Sequence, residues 1–141
     1  MHISELIQKN IRKLLYSHKK RRLGLRFPLL CKVHGVKTAD RQGALCQCQA
    51  LDALQLVHVP LADYPHNVYV YSIPLNRVLG YLEKDVAEKL VALFGENFCR
   101  DGEIAEIVGG GTMKYVGCRL HVLESMEKMQ NVPDFTHLYG E

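Results

Sequence analysis

The sequence predicts an α+β fold: a small twisted antiparallel sheet or partly open β-barrel, with one inserted helix and an N-terminal amphipathic helix. Three observations predict it. Aliphatic residues recur every three or four positions across the first fifteen residues. Downstream, the chain breaks into short β-branched and aromatic runs separated by turn residues. A single strong helical period, "LEKDVAEKLVALFGEN", interrupts those runs, an order that favours an antiparallel sheet or barrel over parallel βαβ units.

The N-terminal helix is predicted from Ile3, Leu6, Ile7, Ile11, Leu14 and Leu15, which share one face, with Ser4 as its N-cap and an end near His18. There "HKKRR" places positive charge where the helix dipole is negative. Leu29, Leu30, Cys31 and Val33, closed by Gly35, suit a buried strand, and "TADRQG" reads as a turn. "ALCQCQALDALQLVHVPL" supplies one or two strands, with a helix as the alternative for its first half, and Pro60 ends it. "VYVYSI", the turn "PLNR" and "VLGYL" form a hairpin. The inserted helix follows, with Val86, Leu90, Leu93 and Phe94 on one face, acids in its first turn and Gly95 placed to stop it. "EIAEIVGGG" and "YVGCRLHVL" pair across the turn at Gly109 to Gly111, and the tail after residue 124 shows no firm period.

At 141 residues and 48% apolar composition the chain supports one packed core. No run reaches the roughly 18 apolar residues of a membrane span, and the first twenty residues are too charged for a signal-peptide core, so a soluble, cytoplasmic protein without a membrane partner is expected. The five cysteines, odd in number and irregularly spaced, point to reduced thiols rather than a disulfide framework. The net charge of +3 conceals an asymmetry: residues 1–38 hold ten bases and one acid, and the remainder eight bases and fourteen acids. A basic arm on an acidic body attracts a polyanion, or the two halves attract each other.

Several chemistries are excluded or weak. "GGGTMKY" lacks the phosphate-loop spacing because Tyr115 follows Lys114, so a hairpin turn is the better reading. Cys46 and Cys48 share a face if their stretch is a strand, and Cys31 with His34 could complete a tetrahedral site, but the spacing matches no strong zinc signature; no metal, cofactor or catalytic residue is expected. Binding explains the tyrosines better. Tyr69 and Tyr71 share a strand face, either as core or as a stacking surface, whereas Tyr64 in a turn and Tyr81 beside Gly80 suit exposed rings that stack on nucleobases.

Leu54 to Leu93, with its Leu-x-Leu, the proline-bearing turn at Tyr64, Asn67 before an alternating strand, and "LGYLEKDVAEKLVAL", resembles the HIRAN domain family. The likeness extends more loosely from Leu29 to Glu124. It implies an OB-like β-barrel over residues 27–124, flanked by a basic helical arm (1–26) and a tail (125–141), and a module that binds single-stranded DNA or DNA ends. By position it implies that Tyr64 stacks on a terminal base, that Tyr81 stands beside the backbone and that Lys84 contacts phosphate; Lys37 lies near an Arg-Tyr pair of the family that this chain lacks. Pro65 replaces an aspartate that accepts from the 3′ hydroxyl, which weakens the case for end capture. Lys19, Lys20, Arg21 and Arg22 are further candidates for phosphate contact. A homodimer or a larger DNA-processing partner is a further expectation, and the alternative is a non-catalytic interaction module docking through the apolar helix face.

Overall fold

The computed structural model describes residues 3–112 and 114–124. Among these, three helices accompany a closed antiparallel barrel of six strands, an α+β architecture consistent with an OB-like barrel. In chain order the elements are α1 (Ile3–Arg22), β1 (Leu29–His34), α2 (Ala39–Leu45), β2 (Ala53–His58), β3 (Val68–Ser72), β4 (Arg77–Leu82), α3 (Lys84–Phe94), β5 (Cys99–Gly109) and β6 (Val116–Val122). Around the barrel the order is β1-β4-β3-β2-β5-β6, and β1 closes it by pairing with both β4 and β6. The barrel is closed rather than partly open, each strand pairing with two neighbours, although β1 meets β4 only at Val33↔Leu82 and His34↔Tyr81.

The strand alternation sends one set of side chains inward. Val33, Leu56, Val70, Leu79, Ile104 and Leu120 fill the barrel, and Leu45 of α2 and Leu90 of α3 join the same core. Tyr69 and Tyr71 alternate with Val68 and Val70, so they lie on the other side of β3. They are buried there in a second cluster with Val57, Val59 and Val78, which assigns them to packing and not to a stacking surface.

Two local expectations are corrected. "TADRQG" is not a turn but most of α2, because Thr38 caps the helix: its Oγ1 accepts from the Arg41 N–H at 3.3 Å. The following Cys46 and Cys48 therefore lie past a helix end, one exposed and one half-buried, and not side by side on a strand. Helix α1 runs four residues past His18, to Arg22, so the whole basic run becomes its last turn. The inserted helix α3 and both hairpins form where expected, with Gly95 as the C-cap at φ 94°.

Helix α1 is fastened to the barrel through Glu124. Its carboxylate Oε2 accepts from Lys20 Nζ at 2.7 Å and from Tyr16 Oη at 3.0 Å, and Tyr16 packs against the main core. Partial burial raises the Glu124 carboxyl, but the Lys20 and Tyr16 hydrogen bonds outweigh it and hold it below its ordinary value of 4.5. Burial first, then the same hydrogen bond, pushes Tyr16 up to about 12. A carboxyl depressed in the folded state stabilises above its unfolded value, and a raised phenol stabilises below its own. The fastening is thus expected to hold at neutral pH, to loosen as pH falls through and below 4.5, and to loosen again between 10 and about 12. Amide exchange along Ile3–Arg22, faster in acid while barrel amides stay protected, checks the acid limb.

Candidate nucleic-acid interface

The candidate surface is built around the loop between β1 and α2. Gly35, just after β1, has φ 68°, a left-handed conformation that disfavours a side chain. The ring of Tyr81 lies over it: a Cβ at Gly35 would stand 2.8 Å from ring atoms Cδ1 and Cζ and closer still to Cε1. Tyr81 is held there by its register opposite His34, and at 36% exposure its ring still faces solvent.

Two residues further on, Lys37 Nζ stands 5.4 Å from the centre of the Tyr115 ring, and Lys114 Nζ stands 5.2 Å from the same ring. Gln42 of α2 fixes this pairing. Its Nε2 donates to the carbonyls of Val36 (2.7 Å) and Val116 (2.8 Å), and its Oε1 accepts from the Val116 N–H at 2.9 Å. Arg41 Nη1 donates to the Gly35 carbonyl at 2.9 Å. The loop is thus held between two aromatic rings, with three cations beside it. Amphipathic rings next to lysine and arginine are the elements that single-strand binders use for bases and phosphates.

Tyr64 is placed differently from expectation. The β2–β3 connection is tied by reciprocal Leu61–Tyr64 backbone bonds, each 3.1 Å, and by Asn67, whose Nδ2 donates to the Val59 carbonyl at 3.2 Å. His58 adds a further tie: its Nδ1 accepts from the Asn97 N–H at 2.8 Å, so its Nε2 carries the proton and donates to the Pro65 carbonyl at 2.7 Å. Held this way, Tyr64 is half-buried against the main core, and its hydroxyl is enclosed without a hydrogen-bond partner among the described residues. Burial raises this phenol, and Glu88, Asp85 and Tyr81 raise it further. Tyr64 and Tyr81 are therefore neighbours, as the hairpin predicts, but Tyr64 is not an exposed platform and acids stand beside it.

Because the Tyr64 hydroxyl is desolvated without compensation, Tyr64→Phe is expected to leave the melting temperature unchanged or raise it slightly. Tyr64→Ala empties part of the core and should cost about 2 kcal/mol. Thermal unfolding of both variants checks this; a clear loss in the Phe variant would show a hydroxyl partner.

The remaining expected residues divide. Lys84 is exposed at the start of α3, beside Asp85 and one turn from Glu88, so the acids offset its charge. Lys37 lies in the site. Lys19, Lys20, Arg21 and Arg22 do not: β1 pairs with β6 from Leu29↔Val122 to Lys32↔Arg119, so the end of α1 near Glu124 and the Gly35–Val116 end are separated by about 20 Å of strand. Lys20 is also engaged with Glu124. Tyr115, Lys114 and Arg41 were missed by sequence reasoning. Lys114 lies in the glycine turn and Tyr115 only opens the strand run that follows it, and Arg41 lies in the segment that reads as a turn; Thr38 as a cap is the one signal available for it.

Among the described residues, no set of three or more His, Cys, Asp or Glu side chains could hold a metal ion. Burial raises the thiols of Cys31 and Cys118 to about 12, and those of Cys48 and Cys99 to about 11, which keeps them protonated and weakly nucleophilic at neutral pH. No helix of the described residues is long and apolar enough to cross a membrane. Comparison of the chain with protein-family models, with curated proteins and with solved structures gives no match.

Proposed function

We propose that the protein is a non-catalytic nucleic-acid-binding module of the HIRAN type, acting in the cytoplasm on single-stranded DNA or DNA ends. The observation that carries this reading is the placement of Tyr81 on Gly35 and of Tyr115 beneath Lys37 and Lys114, two aromatic rings with their cations flanking one loop. The surface is centred there and not on Tyr64, whose surroundings are acidic and would repel phosphate. Bases lie against the Tyr81 and Tyr115 rings, and the phosphates between them meet Lys37, Lys114 and Arg41. A larger DNA-processing partner is compatible with so small a module.

The test is a titration of labelled single-stranded, duplex and 3′-phosphorylated DNA across a salt series. Single strands should bind best. Affinity should fall linearly on a log-log plot, and Lys37→Gln with Lys114→Gln should flatten the slope by about 1.4, each lost phosphate contact contributing about 0.7. Blocking the 3′ end should matter little, because Pro65 offers only a carbonyl and that already accepts from His58. Short oligonucleotides should bind the Lys19→Gln, Arg21→Gln, Arg22→Gln variant as they bind the wild type, since the run lies at the far end of β1. Absence of binding at low salt would remove the reading.

A further inference from the structure

Helix α1 is amphipathic with its faces reversed relative to the body. At 3.6 residues per turn, Ile3, Leu14, Ile7 and Ile11 fall within an arc of about 80°, with Leu6 and Leu15 at its margins, while Tyr16 and Lys20 lie on roughly the opposite side. Tyr16 and Lys20 are the residues fastened to Glu124, so the polar side faces the barrel. The aliphatic side faces away from it: Ile3 is 77% exposed, Leu14 71%, Leu15 63% and Ile7 53%, and no residue of α1 is buried. Among the described residues, nothing covers these six large aliphatic side chains on one helix face.

From this face we infer that α1 lies on an anionic lipid surface. The charge distribution chooses the occupant. Helix α1 carries seven cations, Lys9, Arg12, Lys13 and the final run, against the single carboxylate of Glu5. The aliphatic arc leads directly into His18, Arg21 and Arg22 on the same side, so a helix seated in the acyl boundary puts its cations at the level of the headgroups. Lys13, on the flank of the arc, reaches back to the same level along its own aliphatic stem, whereas Lys9 lies with Tyr16 and Lys20 on the side that faces the barrel. The barrel, fastened to the opposite side, stays clear of the surface.

A second copy fits less well. The aliphatic arc from Ile3 to Leu15 spans fewer than two heptads, where a coiled coil needs about three or four, and it offers six residues where a stable interface uses roughly 20–30 a side. Pairing would also bring together two arms of like charge. Because no described helix is long and apolar enough to cross a bilayer, the mode is to lie on the surface. The expectation of a protein without membrane contact is revised here, because it took account of spanning only.

The inference stands apart from the nucleic-acid reading and is tested by co-sedimentation of the full chain with vesicles. Vesicles of phosphatidylcholine mixed with phosphatidylglycerol should carry the protein down at low salt, pure phosphatidylcholine vesicles much less, and added salt should weaken the binding. Changing Ile7, Ile11 and Leu14 together to Ser should lower partitioning tenfold or more, with the melting temperature and oligonucleotide affinity unchanged, since these side chains touch no core. Binding through the basic nucleic-acid surface alone would be kept by that variant and would overturn the inference. So would failure of the wild type to sediment with anionic vesicles, or a wild-type dimer that the triple variant converts to monomer.

Discussion

Replacing Gly80 with alanine is expected to cost about 3 kcal/mol of stability or more. A Cβ there would overlap the His34 carbonyl oxygen and stand 2.6 Å from Val33 Cγ1. The His34 oxygen is backbone and has no rotamer to give way. Gly80 sits beside the β3–β4 bulge, where Val70 faces it, and next to Tyr81, which pairs with His34. The β1–β4 seam closes the barrel over the short register Val33↔Leu82 and His34↔Tyr81, so pushing these strands apart opens it at its narrowest join. Gly43→Ala is the matched control: it lies in α2, a Cβ there meets nothing within 4 Å, and helix propensity should make it stabilising by up to about 1 kcal/mol. Denaturant unfolding of the pair checks both. Equal, small effects would show that β1 and β4 can separate without loss of the fold.

The second large effect is on binding. Tyr115→Ala and Tyr81→Ala should each weaken single-strand affinity about tenfold, since stacking of a base on an exposed ring contributes roughly 1–3 kcal/mol. Their effects on stability should differ. Tyr115 lies at the rim under two lysines and its loss should be nearly silent, whereas Tyr81 covers Gly35 and should cost about 1 kcal/mol. Because both rings flank one loop, the double variant should lose more affinity than either single variant. Titration of a short labelled oligonucleotide with each variant, beside its melting curve, separates contact from folding. Wild-type affinity in the Tyr115 and Tyr81 variants would move any nucleic-acid site elsewhere on the surface.

The elements legible in the sequence were those whose signal is local. The "VYVYSI" and "VLGYL" hairpin, the α3 period with its Gly95 stop and the glycine hairpin between β5 and β6 each follow from periodicity and turn chemistry within about a dozen residues. Helix α2 was hidden because Gly43 and three polar residues mask its period, and only Thr38 marks its start. The tail from residue 125, read without a firm period, lies outside the described residues.

The candidate site was half legible, for a related reason. Tyr81 and Lys37 were named, but their association depends on the β1–β4 register and on Gln42 bridging α2 to β6, contacts separated by 74 residues in sequence. Tyr115 joins them through that bridge, which fixes the neighbouring Val116, and through Lys37 over its ring. Tyr64 was read as exposed because turns generally are, yet His58 and Asn67 draw its loop down until the ring meets the core. The order of the strands with the inserted helix α3, the basic N-terminal arm and the amphipathic period of α1 are legible along the chain, since these depend on sequence neighbours. Tertiary structure alone decided that the barrel closes, which tyrosines reach solvent and which face of α1 turns outward. Those depend on strand register and on one carboxylate, Glu124, meeting Tyr16 and Lys20 from more than a hundred residues away.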